Sequence, residues 1–245
     1  MAVFVILAAY FLGSVSFSVL IARRLGGIDI RAHGSGNAGA TNMLRVLGPG
    51  PAAAVFALDV LKGVIPVLAA MWLVPGEKGV HMAAGLAAVA GHNWPVWFRF
   101  RGGKGIATTI GVVATLMFLP GLAAGALGIL AIALTRYVSL GSLVFTGLLP
   151  FSVLAFDRPP EFLWGSVVIA VLAWYRHRGN LAKLVRGQEN KLAFRRRTAS
   201  SDSAGASLRP AAPAGEAGPP EAAGPAGPLA AADRKIAPAK GDEGR

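Results

Sequence analysis

Long apolar runs follow one another along most of the chain, separated by short polar loops. They cover residues 2–22, 51–73, 80–98, 105–119, 121–135, 138–156 and 161–175. A helix that crosses a bilayer needs roughly 20 apolar residues, so several of these runs are short for a span. Short, glycine-rich segments of this kind are typical of tilted or interrupted helices around a cavity. The pattern therefore predicts an all-α integral membrane protein.

The distribution of basic residues predicts the number of spans. The region 105–135 reads either as one overlong helix or as two short ones that turn at Leu119-Pro120-Gly121. With two helices there, the strongly basic loops all fall on one face, and only Lys78 and Arg158 fall on the other. Lys and Arg concentrate on the cytoplasmic side of membrane proteins. We therefore predict about seven transmembrane helices, with the N-terminus outside and the C-terminus in the cytoplasm.

Composition supports a membrane domain and marks where it ends. Of 245 residues, 54% are hydrophobic and 15% charged, and the mean hydropathy is +0.55. Beyond residue 197 the chain changes to Ala, Pro, Gly and scattered charge, without aromatic residues or an apolar period. Such a segment cannot bury enough surface to offset chain entropy. We predict a seven-span membrane domain over 1–197 and a disordered cytoplasmic tail over 198–245.

The net charge of +12 belongs to the membrane domain, where 19 Lys and Arg stand against 6 Asp and Glu. These basic residues occupy loops between apolar runs rather than one continuous patch, which disfavours nucleic acid as a partner. Anionic lipid head groups or phosphorylated substrates fit the pattern better. The chain has no Cys, and its four His lack the spacing of metal ligands. We therefore expect no metal, no other cofactor and no thiolate nucleophile.

Three polar stretches interrupt the apolar pattern, each after a span predicted to end at the cytoplasmic face. The first is HGSGNAGATNMLR, residues 33–45. Its glycines let backbone amides approach an anion, a helix that begins here adds its positive end, and Arg45 supplies a fork-shaped phosphate donor. The alternative is structural, with small residues that permit tight helix packing and with Ser35 or Asn37 as a helix cap.

The second stretch is GHNWPVWFRFRGGKGIAT, residues 91–108. A Lys flanked by glycines before a helix resembles a phosphate cradle. It is not a nucleotide-binding P-loop, because Phe98 and Gly105 stand where that motif needs Gly and Ser or Thr. The aromatic residues that precede it are typical of anchors at the membrane interface. For Lys104 the structural alternative is a positive charge that only orients the protein in the membrane.

The third stretch is YRHRGNLAKLVRGQENK, residues 175–191. His177 and Asn180 are three residues apart and therefore share one face of a helix. His177 either donates to a phosphate or moves a proton, or it is an interfacial residue with a solvated tip. We expect Glu189 to form an ion pair with a neighbouring Lys or Arg of this stretch.

Two further polar pairs lie inside the predicted spans. Asp59 and Lys62 are spaced i, i+3, and because unpaired charges within a bilayer are costly we expect them to pair with each other near a cytoplasmic cavity. Ser139 and Ser142 follow Arg136 and either reach the same cavity or bond to their own helix, which is the preferred interpretation. The sequence leaves open whether the charged pair is structural or functional.

These stretches together resemble a known family, the bacterial membrane-integral acyl-phosphate:glycerol-3-phosphate acyltransferases. The three polar stretches are similar to the family's three signature stretches, in the same order and at similar distances, and DVLKG and RYVSLGS are similar too. The resemblance covers about residues 1–195. It implies seven spans, a multi-pass location in the bacterial inner membrane, and an active site that faces the cytoplasm.

The resemblance also implies a reaction and its site. An acyl chain passes directly from acyl phosphate to glycerol 3-phosphate, giving lysophosphatidic acid and phosphate without a covalent enzyme intermediate, as the first acylation of phospholipid synthesis. Membrane lipid is a further partner, and the oligomeric state stays open. The residues implied as catalytic, which hold the acceptor, are Ser35, Arg45, Lys104, His177 and Asn180. Those implied as substrate-binding are Gly36, Asn37, Gly39, Thr41, Asn42, His92, Gly102, Gly103 and Ser142.

A different class of protein shares some of these features. A transporter or channel for a phosphorylated solute also uses broken helices and basic residues near lipid. Such transporters usually show two similar halves and a midplane site, whereas this chain has no repeated motif and its polar stretches gather at one face. The His-x4-Asp pair of acyl-CoA-dependent acyltransferases is missing, which favours acyl phosphate as donor.

Overall fold

The computed structural model describes residues 1–192, and every regular element within that range is helical. The α-helices are α1 Ala2–Gly13, α2 Phe17–Gly26, α3 Ala40–Val46, α4 Pro49–Leu73, α5 Lys78–Asn93, α6 Ile106–Leu116, α7 Phe118–Thr135, α8 Val138–Ala155, α9 Pro160–Arg176 and α10 Arg178–Val185. The all-α prediction is confirmed for these residues. The predicted domain boundary at residue 197 and the tail over 198–245 lie outside the described range.

Each predicted apolar run lies mostly in helix. Four segments within the described range are long and apolar enough to cross a membrane, namely Ala2–Gly26, Pro49–Leu73, Phe118–Thr135 and Val138–Ala155. The first of them combines α1 and α2, which are separated by a break at residues 14–16. The remaining apolar helices α5, α6 and α9 have 16, 11 and 17 residues.

Two helix ends differ from the sequence-based expectation, and proline explains both. The region 105–135 does form two helices, but the break lies at Met117 rather than at Leu119-Pro120-Gly121. Pro120 stands in the first turn of α7, where its missing N–H costs no hydrogen bond. The run 80–98 ends as α-helix at Asn93, because Pro95 opposes continuation, and Val96–Phe98 forms a 3-10 turn.

Helix α4 is central because it packs against α1, α5 and α6. A methyl carbon built on Gly63 would lie 2.2 Å from the carbonyl oxygen of Thr108, and one on Gly111 would lie 2.1 Å from that of Val60. Only glycine allows α4 and α6 to approach so closely, as is common between membrane helices. Because α6 begins at Ile106, within the second polar stretch, this contact fixes the depth of that stretch.

Two apolar clusters flank the polar region. One, with Val67, Met117 and Leu149, joins α4 to α9 in the interior of the helical assembly. The other, with Val19, Ile30 and Met43, underlies the first polar stretch. Large hydrophobic side chains elsewhere on the helices are exposed, as a lipid environment requires.

Candidate active site

The three polar stretches meet at one end of the helical assembly. Arg31, just before the first stretch, donates from Nη1 to the carbonyl oxygen of Phe98 over 3.0 Å. Arg176 donates from Nη2 to the carbonyl oxygen of Gly103 over 2.7 Å. Lys104 donates to the side-chain oxygen of Asn180. Since these bonds join the first stretch to the second and the second to the third, they build a single site.

The first stretch is a loop closed by its own asparagine. The Oδ1 atom of Asn42 accepts from the amide of Ser35 over 2.8 Å, and its Nδ2 donates to the carbonyl oxygen of His33 over 2.9 Å. Gly34 and Gly36 have φ angles of +59° and +71°, which L side chains rarely adopt. The side chain of Asn42, implied as substrate-binding, is thus already used to shape the loop.

Several amides of this loop are also engaged internally. The amide of Gly36 donates to the carbonyl oxygen of His33 over 3.0 Å, and that of Gly39 donates to Asn37 over 3.1 Å. Arg31 forms an ion pair with Asp29 at 2.7 Å and holds the pKa of that carboxyl well below its usual range. These bonds hold the loop in shape from within, and only part of its backbone is free to contact an anion.

The glycine loop of the second stretch packs directly on His92. The amide of Gly103 donates to the carbonyl oxygen of His92 over 3.1 Å. A methyl carbon on Gly103 would lie 2.2 Å from Nε2 of His92 and 2.4 Å from the carbonyl oxygen of Ala38. Gly103 is therefore a packing residue between the first two stretches. Gly102 also packs closely, since a methyl carbon on it would lie 2.0 Å from the carbonyl oxygen of His92, and it lines the cavity together with Lys104.

Arg176 is a site residue that the sequence analysis counted only as a loop charge. Besides its 2.7 Å bond, it donates from Nε to the carbonyl oxygen of Gly103 over 3.0 Å and from Nη2 to that of Gly102 over 3.1 Å. Its guanidinium lies over the ring of Trp94. These contacts fix the backbone beside Lys104. Its position next to His177 was the only signal in the sequence.

Two titratable side chains at the centre have strongly shifted pKa values. Burial, with the positive charges of Arg45 and Arg176, lowers the pKa of Lys104 to about 8, against the opposing attraction of Glu189. Burial and the charge of Lys104 lower the pKa of His177 to about 4. At neutral pH the lysine is therefore mostly protonated and the imidazole is neutral.

Hydrogen bonds orient both ends of the third stretch. The Nδ1 atom of His177 lies 2.8 Å from the carbonyl oxygen of Ala173. A carbonyl only accepts, so Nδ1 carries the proton and Nε2 keeps its lone pair. Glu189 accepts from Asn180 over 2.7 Å and from Ser139 over 3.1 Å, rather than forming the expected ion pair within the stretch. The carboxylate is instead held by Asn180 of α10 and Ser139 of α8, which both donate to its Oε1 atom.

The expected pair inside the membrane segments is present. Lys62 lies 2.9 Å from Asp59, with both side chains almost fully buried. Lys62 also donates to the carbonyl oxygen of Val15, in the break between α1 and α2, over 2.8 Å. The Nδ1 atom of His92 is 3.6 Å from the same Asp59 oxygen. Ser142 donates to the carbonyl oxygen of Val138 over 2.9 Å, as the preferred interpretation has it, whereas Ser139 donates to Glu189 and both serines line the cavity.

A cavity of about 810 Å³ connects these groups. All sequence-predicted site residues except Gly103 line it: Ser35, Gly36, Asn37, Gly39, Thr41, Asn42, Arg45, His92, Gly102, Lys104, Ser142, His177 and Asn180. Asp59, Arg176 and Glu189 line it as well. The lining thus carries more positive than negative charge, with Arg45, Lys104, Arg176 and Lys183 against Asp59 and Glu189.

The cavity continues into an apolar arm between α6, α7 and α8. This arm is lined by Ile110, Val113, Phe118, Leu122, Ile129 and Phe145. Phe118, Leu122 and Ile129 are 59%, 58% and 69% exposed, so the arm opens on the apolar outer surface of the helices. A molecule with an anionic head and an apolar tail fits this combination of ends.

Fold and site together define a multi-pass membrane protein with an enzyme-like cavity for amphipathic molecules. Residues 3–187 match the family described as glycerol-3-phosphate acyltransferase. The chain belongs to this glycerol-3-phosphate acyltransferase family, and it is an integral membrane acyltransferase.

Similar proteins agree with this membership over nearly their whole length. A glycerol-3-phosphate acyltransferase of Shouchella clausii (strain KSM-K16) is 56% identical over 192 residues, which cover 76% of this chain and 94% of that protein. One from Myxococcus xanthus (strain DK1622) is 41% identical over 186 residues, covering 76% and 97%.

Solved structures of PlsY, an integral membrane glycerol 3-phosphate acyltransferase, share the fold. Its glycerol 3-phosphate form has a TM-score of 0.75 and 40% identity, covering 78% of this chain and 96% of that one. Its lysophosphatidic acid form has a TM-score of 0.73 and 39% identity, covering 78% and 95%. These findings favour the enzyme over the transporter considered from the sequence.

Proposed function

We propose that this protein transfers an acyl group from acyl phosphate to a hydroxyl of glycerol 3-phosphate, releasing lysophosphatidic acid and inorganic phosphate. The observation that carries the proposal is one cavity with a cationic end and an apolar arm open to the outer surface. Two anionic head groups and one acyl chain need this arrangement. The names of the relatives, and the two forms in which PlsY was solved, support the acceptor and the product.

The acceptor binds among Ser35, Arg45, Lys104, His177 and Asn180. Arg45 is exposed at the cavity and offers a bidentate donor for phosphate. Lys104 is held in place by Asn180, which is in turn held by Glu189. Because this chain of hydrogen bonds fixes the ammonium group before substrate arrives, little reorganisation is required at binding.

The acyl phosphate binds between the two glycine-rich stretches. Asn37 and Thr41 offer polar side chains, Gly102 permits close backbone approach, and Lys104 lies between the two phosphate positions. Gly36, Gly39, Asn42, His92, Gly103 and Ser142 complete this region, of which Asn42 and Gly103 act by holding its shape. The acyl chain lies in the apolar arm.

The reaction proceeds by direct transfer. The acceptor hydroxyl donates a hydrogen bond to Nε2 of His177 and attacks the acyl carbonyl, the bond from the carbonyl carbon to the phosphate oxygen breaks, and phosphate leaves. A phosphate group has a second pKa of about 6, so it is a stronger base than His177 with a pKa of about 4. The departing phosphate therefore takes the proton, and His177 orients the hydroxyl. Alignment of two bound reactants supplies about 7–11 kcal/mol of the acceleration.

The proposed setting is the bacterial inner membrane, with seven spans and the site at the cytoplasmic face. The supporting observations are the helical segments between residues 2 and 176 and the concentration of basic residues at the end of the assembly that carries the site. Both water-soluble glycerol 3-phosphate and a membrane-dissolved donor reach a site in that position.

Product formation by the purified full-length protein tests this proposal. Labelled glycerol 3-phosphate is incubated with palmitoyl phosphate in one reaction and palmitoyl-CoA in another. Labelled lysophosphatidic acid is expected only with palmitoyl phosphate. Product only with palmitoyl-CoA contradicts the donor, and product with neither contradicts the reaction.

The same assay tests the site with matched variants. Arg45→Ala should raise the KM for glycerol 3-phosphate by about 10- to 100-fold, because a charge-assisted bond to phosphate is lost. Arg178→Ala is the control, since Arg178 is exposed on α10, does not line the cavity and donates to the carbonyl oxygen of Tyr175 near the end of α9. Equal KM values for the two variants would contradict the acceptor assignment.

A further inference from the structure

One glycine of α7 is not explained by helix packing. Gly121, Gly125 and Gly128 all line the cavity. A methyl carbon on Gly121 would lie 2.3 Å from Cγ1 of Val113, and one on Gly128 would lie 2.8 Å from the carbonyl oxygen of Gly141. On Gly125 it would meet no atom within 4 Å. Neighbouring helices therefore require glycine at the first and third positions but not at Gly125.

The open space beside Gly125 belongs to the apolar arm. Leu122 and Ile129, one turn before and one turn after Gly125, line the same cavity, as does Ile110 of α6. Glycine is among the least favourable residues in a helix interior, so its presence at a position without packing constraint calls for another reason. Room for a ligand in the arm supplies that reason.

The position along α7 matches the middle of a long acyl chain. The Thr135 end of α7 adjoins the start of α8, where Ser139 contacts Glu189 of the polar site. Gly125 stands ten residues before Thr135, which corresponds to about 15 Å along the helix axis. A short chain anchored at the polar end stops before this level, whereas a long chain passes it.

We propose that Gly125 determines acyl-chain length, because its missing side chain lets a long chain pass α7 within the arm. A larger residue at this position would restrict the enzyme to shorter chains. The inference rests on the proposed function, since it assigns the apolar arm to the acyl group of the donor and product.

The test compares two donors in four full-length proteins: the wild type, Gly125→Ala, Gly125→Leu and Ala133→Leu. Ala133 is exposed on the same helix and does not line the cavity, so its variant controls for added bulk on α7. In Gly125→Leu, kcat/KM for palmitoyl phosphate should fall at least about tenfold while that for octanoyl phosphate changes less than about threefold, in line with steric discrimination in apolar pockets. Ala133→Leu should behave like wild type.

Gly125→Ala keeps the test decisive if the leucine variant does not fold. Its methyl group meets no neighbour, so it should fold at least as well as wild type and shift the ratio of the two donors in the same direction, by a smaller factor. Equal loss with both donors, or an unchanged ratio in both variants, would overturn the inference.

A binding measurement separates this inference from the proposed donor. The rise in melting temperature caused by palmitoyl and by octanoyl lysophosphatidic acid reports on the arm without any transfer step. Gly125→Leu should lose the rise with the palmitoyl form and keep that with the octanoyl form. If the wild type proves inactive with acyl phosphate, the donor proposal fails, and this comparison still decides for or against Gly125.

Discussion

Burial within a ring of positive charge sets the protonation of the two titratable side chains at the centre of the site. Lys104 and His177 both have a lowered pKa, of about 8 and about 4. For the lysine the lowered value leaves a cation that loses its proton at mildly alkaline pH. For the histidine it leaves a neutral ring throughout the neutral range. One physical cause therefore leaves a cation and a neutral hydrogen-bond acceptor in the same cavity at neutral pH.

The affinity for glycerol 3-phosphate should fall as the pH rises through about 8. The reason is the loss of the Lys104 proton, whereas the phosphate stays dianionic above pH 7. The KM for the acceptor, measured between pH 7 and 10, should therefore rise on the alkaline side. In Lys104→Arg the charge persists, so this rise should disappear, even if the overall rate is lower. A rise that persists in the Arg variant would show that another group titrates.

At the scale of the element, α4 ties the membrane segments together below the polar site. Its Asp59 and Lys62 form an ion pair, Lys62 bonds to the break between α1 and α2, and Asp59 approaches His92 of α5. Since Gly103 packs on His92, the buried side chains of Asp59, Lys62 and His92 help to hold the glycine loop in position. Helix α4 thus links the break between α1 and α2 to the position of the glycine loop.

Breaking this ion pair on one side should destabilise the protein. Asp59→Asn leaves the Lys62 ammonium buried without its counter-ion, which costs about 3–5 kcal/mol. The double variant Asp59→Leu with Lys62→Met removes both charges and should regain most of that loss. Thermal unfolding in detergent measures both. A single variant as stable as the wild type would contradict the view that the pair is desolvated.

At the scale of the whole molecule, the site exists only because three loops distant in the sequence converge. Arg31, beside the first stretch, donates to the second stretch, and Arg176 of the third stretch donates to the second as well. Arg136 donates to the carbonyl oxygen of Leu192 over 2.9 Å. All these contacts lie at one end of the assembly. A one-sided site of this kind requires each loop to emerge on the same side of the membrane.

Cysteine labelling tests that sidedness without background, because the chain has no cysteine. Glu77→Cys, between α4 and α5, and Gln188→Cys, after α10, change exposed residues that do not line the cavity. With seven spans and the N-terminus outside, an impermeant maleimide should label position 77 in intact cells and position 188 only after permeabilisation. Labelling of both positions in intact cells would contradict the five spans predicted between them.

Local signals predicted much of the architecture and failed where a contact between distant segments was needed. The apolar runs predicted the positions of the helices, and the i, i+3 spacing of Asp59 and Lys62 predicted their ion pair. The predicted ion pair of Glu189 was wrong: its carboxylate accepts from Asn180 of the same stretch, and from Ser139, which comes from a distant helix. The bonds of Arg176 to the glycine loop were missed for the same reason, since a loop charge carries no mark of its acceptor.

By itself, the sequence determined the helical class and which residues are able to contact an anion, because hydrophobic periodicity and side-chain chemistry are local properties. It also determined that the fourth and fifth apolar runs are separate helices. Only the tertiary structure decided that Asn42 and Gly103 hold backbone in place, that Lys104 and His177 lose proton affinity, and that an apolar arm passes Gly125. Burial, charge neighbours and cavity shape arise between segments, and no single segment encodes them.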